Sequence, residues 1–413
     1  MAAQELKKPE VLAPAGDRER LEAAVQFGAD AVYLGAQQFT MRAGPANFTP
    51  EELTAAVQRC HDRGVKVYLT CNTLPREGEL AQLEAFFDLA EASGADALIV
   101  ADLGVFQAAR RRLQRTALHV STQMGVLSSL TARALYDLGA SRVVLARELS
   151  LEEIAAIRAK TPAQLELEAF VHGAMCMSVS GRCLISEYLT GRDANRGDCA
   201  QPCRWKYRLV EEKRPGQYFP IGEEEGGGSY LLNARDLCMI DHLAELAAAG
   251  VGSFKIEGRA KSAYYVASVT HAYRQGVDYA AAHPGQPLPD WIRQEVEKVS
   301  HREYSTGFYF GRPGQCWQSG GYLRRWDVVA VVEESDGCRL TAVVKNAFGP
   351  GEPLEVLTPG GPPVPLQAPV LLDEEGQPMD RARHPMQRVQ IPCTVRLPAG
   401  AMIRRPRPDA SAG

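Results

Sequence analysis

Short apolar runs alternate with helical patterns through the first 260 residues, and this alternation limits the chain to very few folds. Eight runs are strand-like, namely EVLAP, AVYLG, KVYLT, ALIVA, LHVST, RVVLA, LELEAFVHG and SFKIEG. Five of the intervening helices end in glycine just before the next strand, at Gly28, Gly64, Gly94, Gly139 and Gly250. Continuous apolar strands need cover on both faces, so the pattern predicts a (β/α)8 barrel of the TIM type. A doubly wound open sheet is the alternative, although no GxGxxG fingerprint follows the first strand.

One insertion and one change in the spacing of apolar residues divide the chain further. Within a predicted barrel at 9–285, an insertion at about 174–238 follows strand seven. In it, RWKYRLVEE and SYLLNARDL are joined by GEEEGGG, which predicts a hairpin with a solvated tip. A linker helix and connecting segment are expected over 286–320. Short β-runs bounded by Gly and Pro predict a small all-β barrel domain over 321–405.

The charge balance excludes a general attraction to polyanions. The chain has 46 Lys and Arg against 50 Asp and Glu, a formal net charge of -4, so RNA contact would need local basic patches. Three runs are candidates: 109–115 (ARRRLQR), 204–208 (RWKYR) and 403–408 (IRRPRP). The first also fits the solvated face of a helix. No stretch approaches the about 20 apolar residues of a membrane helix, and no apolar leader is present, so we expect a cytoplasmic protein.

Ten cysteines in such a chain are not expected to form a disulfide framework. Five are scattered and are interpreted as packed apolar residues: Cys60, Cys71, Cys316, Cys338 and Cys393. The other five lie among Gly, Ser, Asp and Arg in loops at the carboxyl ends of strands: Cys176, Cys183, Cys199, Cys203 and Cys238. Four loop thiolates can hold zinc or an iron–sulfur cluster. The wide spacing without CxxC pairs favours a cluster in a cleft.

The stretch EAFVHGAMCMSVSGRCLIS, residues 168–186, resembles the signature of the U32 peptidase-like family. The resemblance continues through LAPAGD, GADAVYLG, STQM, GDCAQPCRW, NARDLC, FKIEGR and HREYSTGFYFG. It implies a barrel with an oxygen-sensitive 4Fe-4S cluster. The ligands it implies are Cys176, Cys183, Cys199 and Cys238, with Cys203 as a spare or alternative thiol. Some members take a ligand from the loop after strand two, but GAQQFTMR contains no cysteine.

The C-terminal β domain and the segments QPCRW and HREYSTGFYFG resemble the tRNA hydroxylation branch of this family. That branch implies hydroxylation of the wobble uridine in the tRNA anticodon loop to 5-hydroxyuridine, with prephenate as the oxygen source. Hydroxylation of another RNA or of a quinone precursor is an alternative. A U32-type peptidase (collagenase-like hydrolase) and an RNA-binding scaffold with a structural metal are two more. The chain has neither an HExxH helix nor a GxSxG elbow, but cysteine-held zinc could still hydrolyse peptides.

Prephenate is a dicarboxylate, so its site should present cationic side chains at the strand ends. Five residues are predicted to bind substrate, the last two through their amides: Arg147, Arg235, Arg259, Asn72 and Gln123. Four are predicted to be catalytic: Glu168, His172, Lys255 and Glu257. Glu168 and His172 flank the end of strand seven as an acid–base pair. Alternatively, His172 only orients a loop through a hydrogen bond.

Overall fold

A computed structural model describes residues 8–41, 47–205, 207–210, 213, 216, 218–220, 233–314, 316 and 321–407. Its strands in the first three quarters of the chain are β1 (Glu10–Pro14), β2 (Ala31–Gly35), β3 (Lys66–Cys71), β4 (Ala97–Val100), β5 (Ala117–Val120), β6 (Arg142–Val144), β7 (Glu166–Gly173), β8 (Arg208–Val210), β9 (Tyr218–Pro220), β10 (Asp236–Cys238), β11 (Ser253–Ile256) and β12 (Tyr304–Ser305). The helices are α1 (Arg18–Gln26), α2 (Pro50–His61), α3 (Leu83–Ser93), α4 (Leu103–Arg112), α5 (Ser129–Asp137), α6 (Leu151–Ala159), α7 (Ile185–Thr190), α8 (Leu243–Ala248), α9 (Ala263–Ala282) and α10 (Asp290–Glu297).

Eight parallel strands close into a barrel. Strands β1 to β7 pair in sequence order, and β11 pairs with both β1 and β7. Ser253 is the shared partner at this seam, because it lies opposite Glu10 on one side and Glu168 on the other. The TIM-type prediction is therefore confirmed, and the open sheet is excluded.

Local sequence signals start and stop the barrel helices as expected. Thr49 and Glu52 form a capping box at the start of α2, and Ser150 and Glu153 form another at α6. Gly94 ends α3 in the left-handed conformation with φ 78°, which a residue with a Cβ adopts only at a cost. The other four predicted stop glycines also have positive φ.

The insertion contains a hairpin, but the predicted pairing was wrong. Strand β8 pairs antiparallel with β9. The predicted second strand instead contributes β10, which pairs antiparallel with β7 and parallel with β12. The GEEEGGG segment lies outside the described residues. An apolar alternation predicts a strand but not its pairing partner, and here the carboxyl end of β7 is the partner.

The C-terminal region is all-β, as predicted. Strands β13 (Trp326–Ser335), β14 (Arg339–Val344), β15 (Leu354–Leu357), β16 (Val364–Leu366), β17 (Leu371–Leu372), β18 (Pro378–Met379), β19 (Arg388–Pro392) and β20 (Met402–Pro406) form one antiparallel sheet. It has its own apolar core, which includes Val329, Phe348 and Ile391. Arg404 of β20 is fully buried and makes ion pairs with Glu295 of α10 and Glu355 of β15. These charges hold the sheet against the helices of the barrel.

Among the described residues, no helix has both the length and the apolar character that a membrane span requires.

Candidate functional site

A cavity of about 470 Å³ opens at the carboxyl ends of the barrel strands. Its walls come from the strand ends and from the insertion after β7. Ten of the residues singled out from the sequence line it: Asn72, Gln123, Arg147, Lys255, Glu257, Arg259, Cys176, Cys183, Cys199 and Cys203. The fold therefore brings the polar strand ends and four of the five clustered thiols to one place.

Arg147 crosses from the end of β6 to the start of the insertion. Its Nη1 donates to the carbonyl oxygen of Ala174 at 2.6 Å, and its guanidinium lies 3.7 Å from the centre of the Phe170 ring. Both contacts orient the guanidinium, and both are made with uncharged groups, so neither neutralises its charge. Such a guanidinium is well placed to bind an anion.

A second guanidinium, that of Arg259, lies after β11. Its Nη1 donates to Thr70 Oγ1 at 3.0 Å, and that hydroxyl is 2.8 Å from Thr40 Oγ1. Together with the other lining cations, it gives the cavity a positive character. Five cationic side chains line the described wall, Arg147, Arg204, Lys255, Arg259 and Lys261, against the two carboxylates Glu148 and Glu257.

Lys255 forms part of the cavity floor and is tied to a carboxylate below it. Its Nζ lies 2.6 Å from Glu168 Oε1, and Glu168 is fully buried. Burial lowers the pKa of Lys255, and the Glu168 carboxylate opposes this effect by favouring the charged amine. Lys255 thus presents its amine to the cavity while paired with a buried carboxylate.

The other oxygen of Glu168 binds Arg142, a residue that the sequence analysis missed. Arg142 Nη1 lies 3.0 Å from Glu168 Oε2 and 2.7 Å from Glu10 Oε1, and Arg142 Nη2 lies 2.6 Å from Glu166 Oε2. Arg142 is only 3% exposed. The sequence signal for this ion-pair network was that β1, β6 and β7 each begin with a charged residue, because the amino ends of barrel strands lie close together.

Glu168 and His172 do not form the predicted acid–base pair, because they face different sides of β7. His172 is buried against the outer helices, with Tyr273 Oη 3.4 Å from Nδ1 and Tyr304 Oη 3.3 Å from Nε2. Burial, with the nearby charge of His301, lowers the pKa of His172 to about 3. A register shift between β7 and β11 at this level turns the side chain outward. Neither residue lines the described cavity wall.

Two more predicted residues lie apart from the cavity. Arg235 is partly exposed and pairs with Glu303 at 3.2 Å. Cys238 lies opposite His172 on β10 and packs against the outer apolar core. Burial raises the pKa of the Cys238 thiol to about 12. Its assignment as a cluster ligand stays a prediction, since the structure places it on the helix side of β7.

Hydrogen bonds position three of the four cavity cysteines. Cys176 Sγ accepts from the Ser178 N–H at 3.5 Å, and Cys199 Sγ accepts from the Gln201 N–H at 3.3 Å. The Cys183 backbone is fixed by both amide atoms of Asn195, at 3.0 and 2.9 Å. These bonds orient the loop that carries the thiols.

Cys203 belongs with the other three thiols. Burial raises the pKa of Cys203; Arg204 lowers it, and the neighbouring Cys176, Cys199 and Cys183 raise it further. Among the described residues, no three His, Cys, Asp or Glu side chains lie close enough together to hold a metal ion. A wall with four thiols and, among its described residues, no His or Asp nevertheless fits a thiolate-held 4Fe-4S cluster.

Of the described residues in the three basic runs, one lines the cavity. Arg204 lines the wall, where it donates to the Met175 carbonyl at 3.2 Å. In the first run, Arg112 pairs with Asp88 on the face of α4, as the solvated-helix interpretation predicts. In the third, the buried pair of Arg404 with Glu295 removes that charge from solvent, so this run is not an RNA patch as a whole.

A closed (β/α)8 barrel with polar side chains and loop thiols around a cavity at its carboxyl-end face defines a barrel enzyme. The chain belongs to peptidase family U32. Residues 16–319 match the model described as peptidase family U32, and residues 324–404 match that of its C-terminal domain.

Several relatives share most of this chain. The tRNA hydroxylation protein P1 of Bacillus subtilis is 34% identical over 406 residues, covering 97% of this chain and 95% of that protein. An uncharacterized protease of Methanocaldococcus jannaschii is 46% identical over 304 residues, 73% of each chain. The 23S rRNA 5-hydroxycytidine synthase of Escherichia coli is 38% identical over 313 residues, which are 74% of this chain and 46% of that enzyme.

Proposed function

We propose that this protein hydroxylates RNA, specifically the wobble uridine of tRNA, with an iron–sulfur cluster and with prephenate as the oxygen source. The observation that carries the proposal is the cavity itself. It combines four thiols with a cationic wall at the catalytic face of a barrel. The names of the Bacillus subtilis and Escherichia coli relatives support RNA hydroxylation as the reaction class.

The cationic wall supports a small dianionic donor. Arg147 and Arg259 reach the cavity from β6 and β11, which lie on either side of β7 in the barrel. Two carboxylates on one small molecule can engage both guanidinium groups through charge-assisted hydrogen bonds. Asn72 and Gln123 add amides to the same wall, and Gln123 Oε1 is buried there without a hydrogen-bond partner among the described residues. We assign these four residues to donor binding.

Cys176, Cys183 and Cys199 would hold the cluster, and Cys203 would be the fourth ligand in place of Cys238, because Cys203 lines the same cavity and Cys238 does not. When bound, a 4Fe-4S cluster supplies one-electron chemistry next to the donor. Lys255 holds a positive charge at the cavity floor, where it can neutralise a carboxylate or donate a proton. Glu257, whose Oε2 accepts from the Ala174 N–H at 3.3 Å, places a carboxylate on the insertion side as a general base.

Peptide hydrolysis is the competing function, because one relative is named a protease. A cysteine nucleophile needs a base within reach, usually an imidazole. Among the described residues that line the cavity, none is histidine, and His172 faces the outer helices. The absence of an imidazole from the described cavity wall therefore favours thiols that hold a redox cluster over a thiol that acts as a proteolytic nucleophile.

Anaerobic purification with iron, sulfide and zinc analysis tests the cofactor, and nucleoside analysis of tRNA incubated with donor tests the reaction. We expect about four irons and four sulfides per chain. We also expect 5-hydroxyuridine to form only when the donor is present. One tightly held zinc without sulfide, together with cleavage of a peptide substrate, would overturn the proposal in favour of hydrolysis.

A further inference from the structure

Large apolar side chains are exposed on the segment that carries the cavity thiols. Tyr188 is 88% exposed, Leu184 69% and Val179 61%. Val179 lies between the cavity-lining Cys176 and Cys183, Leu184 directly follows Cys183, and Tyr188 lies in α7. Exposed apolar groups that cluster in this way mark a binding surface.

This surface is rigidly supported although nothing in the described chain covers it. Ser186, on the inner side of α7, is fully buried, and its Oγ accepts from the Ala200 N–H at 2.9 Å. Arg196 ties the following turn to Glu79, in the loop after β3, at 2.9 Å. The exposed side chains therefore sit on a fixed platform and are not ends of a loose loop.

The platform is continuous with the cavity. Gly181, Cys183 and Ile185 line the cavity wall, and the residues between them, Arg182 and Leu184, are exposed. A large substrate that places one reacting group in the cavity can therefore contact this part of the rim. The cavity is lined by five cations and two carboxylates, so the substrate that it draws in is anionic.

We propose that Tyr188, Leu184 and Arg182 form a docking platform for a single-stranded RNA loop, with a base stacked on Tyr188 and a phosphate on Arg182. Unpaired bases stack on exposed aromatic rings, and a neighbouring cation neutralises the backbone. This inference rests on the proposed function, because it takes the large substrate to be RNA. It adds the surface on which the RNA binds.

The test measures the binding of an anticodon stem–loop RNA to the anaerobically purified holoenzyme by fluorescence anisotropy at several salt concentrations. Tyr188→Ala should weaken binding about tenfold, whereas Tyr188→Phe keeps the stacking face and should bind like wild type. Arg182→Ala should lower the slope of log K against log salt by about 0.7. Leu184→Ala should also weaken binding, and Leu138→Ala is its matched control, because Leu138 is an exposed leucine at the end of α5, at the opposite end of the barrel.

Iron content and tRNA hydroxylation, measured on the same samples, separate this inference from the proposed function. Wild-type hydroxylation together with Tyr188→Ala binding equal to wild type would overturn the platform alone. A wild-type protein that binds no RNA would overturn both. A change in molecular mass on Tyr188→Ala, without a change in RNA affinity, would show instead that the surface joins two copies of the chain.

Discussion

Arginine side chains are paired differently at the two ends of the barrel, the amino-end face, here called the floor, and the carboxyl-end face, here called the mouth. At the floor, Arg142 is buried and bound by the carboxylates of Glu10, Glu166 and Glu168. At the mouth, Arg147 is held by a backbone carbonyl and an aromatic face. Removing one partner of a buried ion pair leaves an uncompensated charge and destabilises the fold, whereas a charge held by neutral groups keeps its attraction for a ligand. Lys255 joins the two regions through Glu168.

This comparison predicts that the two regions can be disabled separately. Changes at the mouth should remove cofactor or activity and leave the free energy of unfolding of the apoprotein unchanged. Changes at the floor should lower that free energy.

The largest effect is expected at the thiols. Cys176→Ala, Cys183→Ala and Cys199→Ala should each lose the cluster and all hydroxylation, because each removes a proposed cluster ligand. Iron and sulfide analysis with nucleoside analysis of tRNA measures this. Cys203→Ala should behave like them and Cys238→Ala should retain iron. The reverse result for these last two variants would restore the ligand set implied by the family resemblance.

At the floor, Arg142→Met should destabilise the protein by about 3 to 5 kcal/mol, because it leaves the largely buried Glu10 without a counter-charge and the buried Glu168 with Lys255 alone. Urea unfolding followed by circular dichroism measures the change. Arg112→Met is the control, since it removes an arginine of similar size from a solvent-exposed pair with Asp88 and should leave the unfolding midpoint unchanged. If Arg142→Met unfolds like wild type, the floor network has no structural role.

A smaller effect is expected for a donor-binding cation. Arg147→Met should raise the KM for prephenate about tenfold, since a hydrogen bond to a charged group contributes about 1.5 to 3 kcal/mol. Unfolding free energy and iron content should not change. Arg235→Met serves as control, because Arg235 pairs with Glu303 away from the cavity. Equal effects of the two substitutions would remove Arg147 from the donor site.

The smallest effect is a pH dependence at the floor. Burial alone would raise the pKa of Glu10, but the charge and hydrogen bonds of Arg142 outweigh it and lower the pKa below the ordinary 4.5. Because the folded-state pKa is the lower one, this stabilisation is complete above the unfolded-state pKa and is lost as pH falls through the folded-state pKa. Wild type should therefore lose unfolding free energy more steeply on acidification below pH 4.5 than Glu10→Gln. Parallel pH profiles would contradict the pairing.

Local patterns determined the barrel. The eight apolar runs, the capping boxes and the stop glycines each act within a few residues, so they could be read without knowing any long-range contact. The placement of Arg147, Lys255 and Arg259 near one another also followed, because the carboxyl ends of barrel strands meet at one face. The gathering of the thiols there was predicted for the same reason.

Long-range pairing decided what the sequence left open. Only the register of β7 against β11 turns His172 away from Glu168, and only the pairing of β10 with β7 moves Cys238 to the helix side. The burial of Arg142 and Arg404 was settled by contacts between distant segments as well. The sequence determined which elements form and which face carries the chemistry. Only the tertiary structure selected the side chains that reach the cavity, because strand register and side-chain direction depend on contacts between segments far apart in the chain.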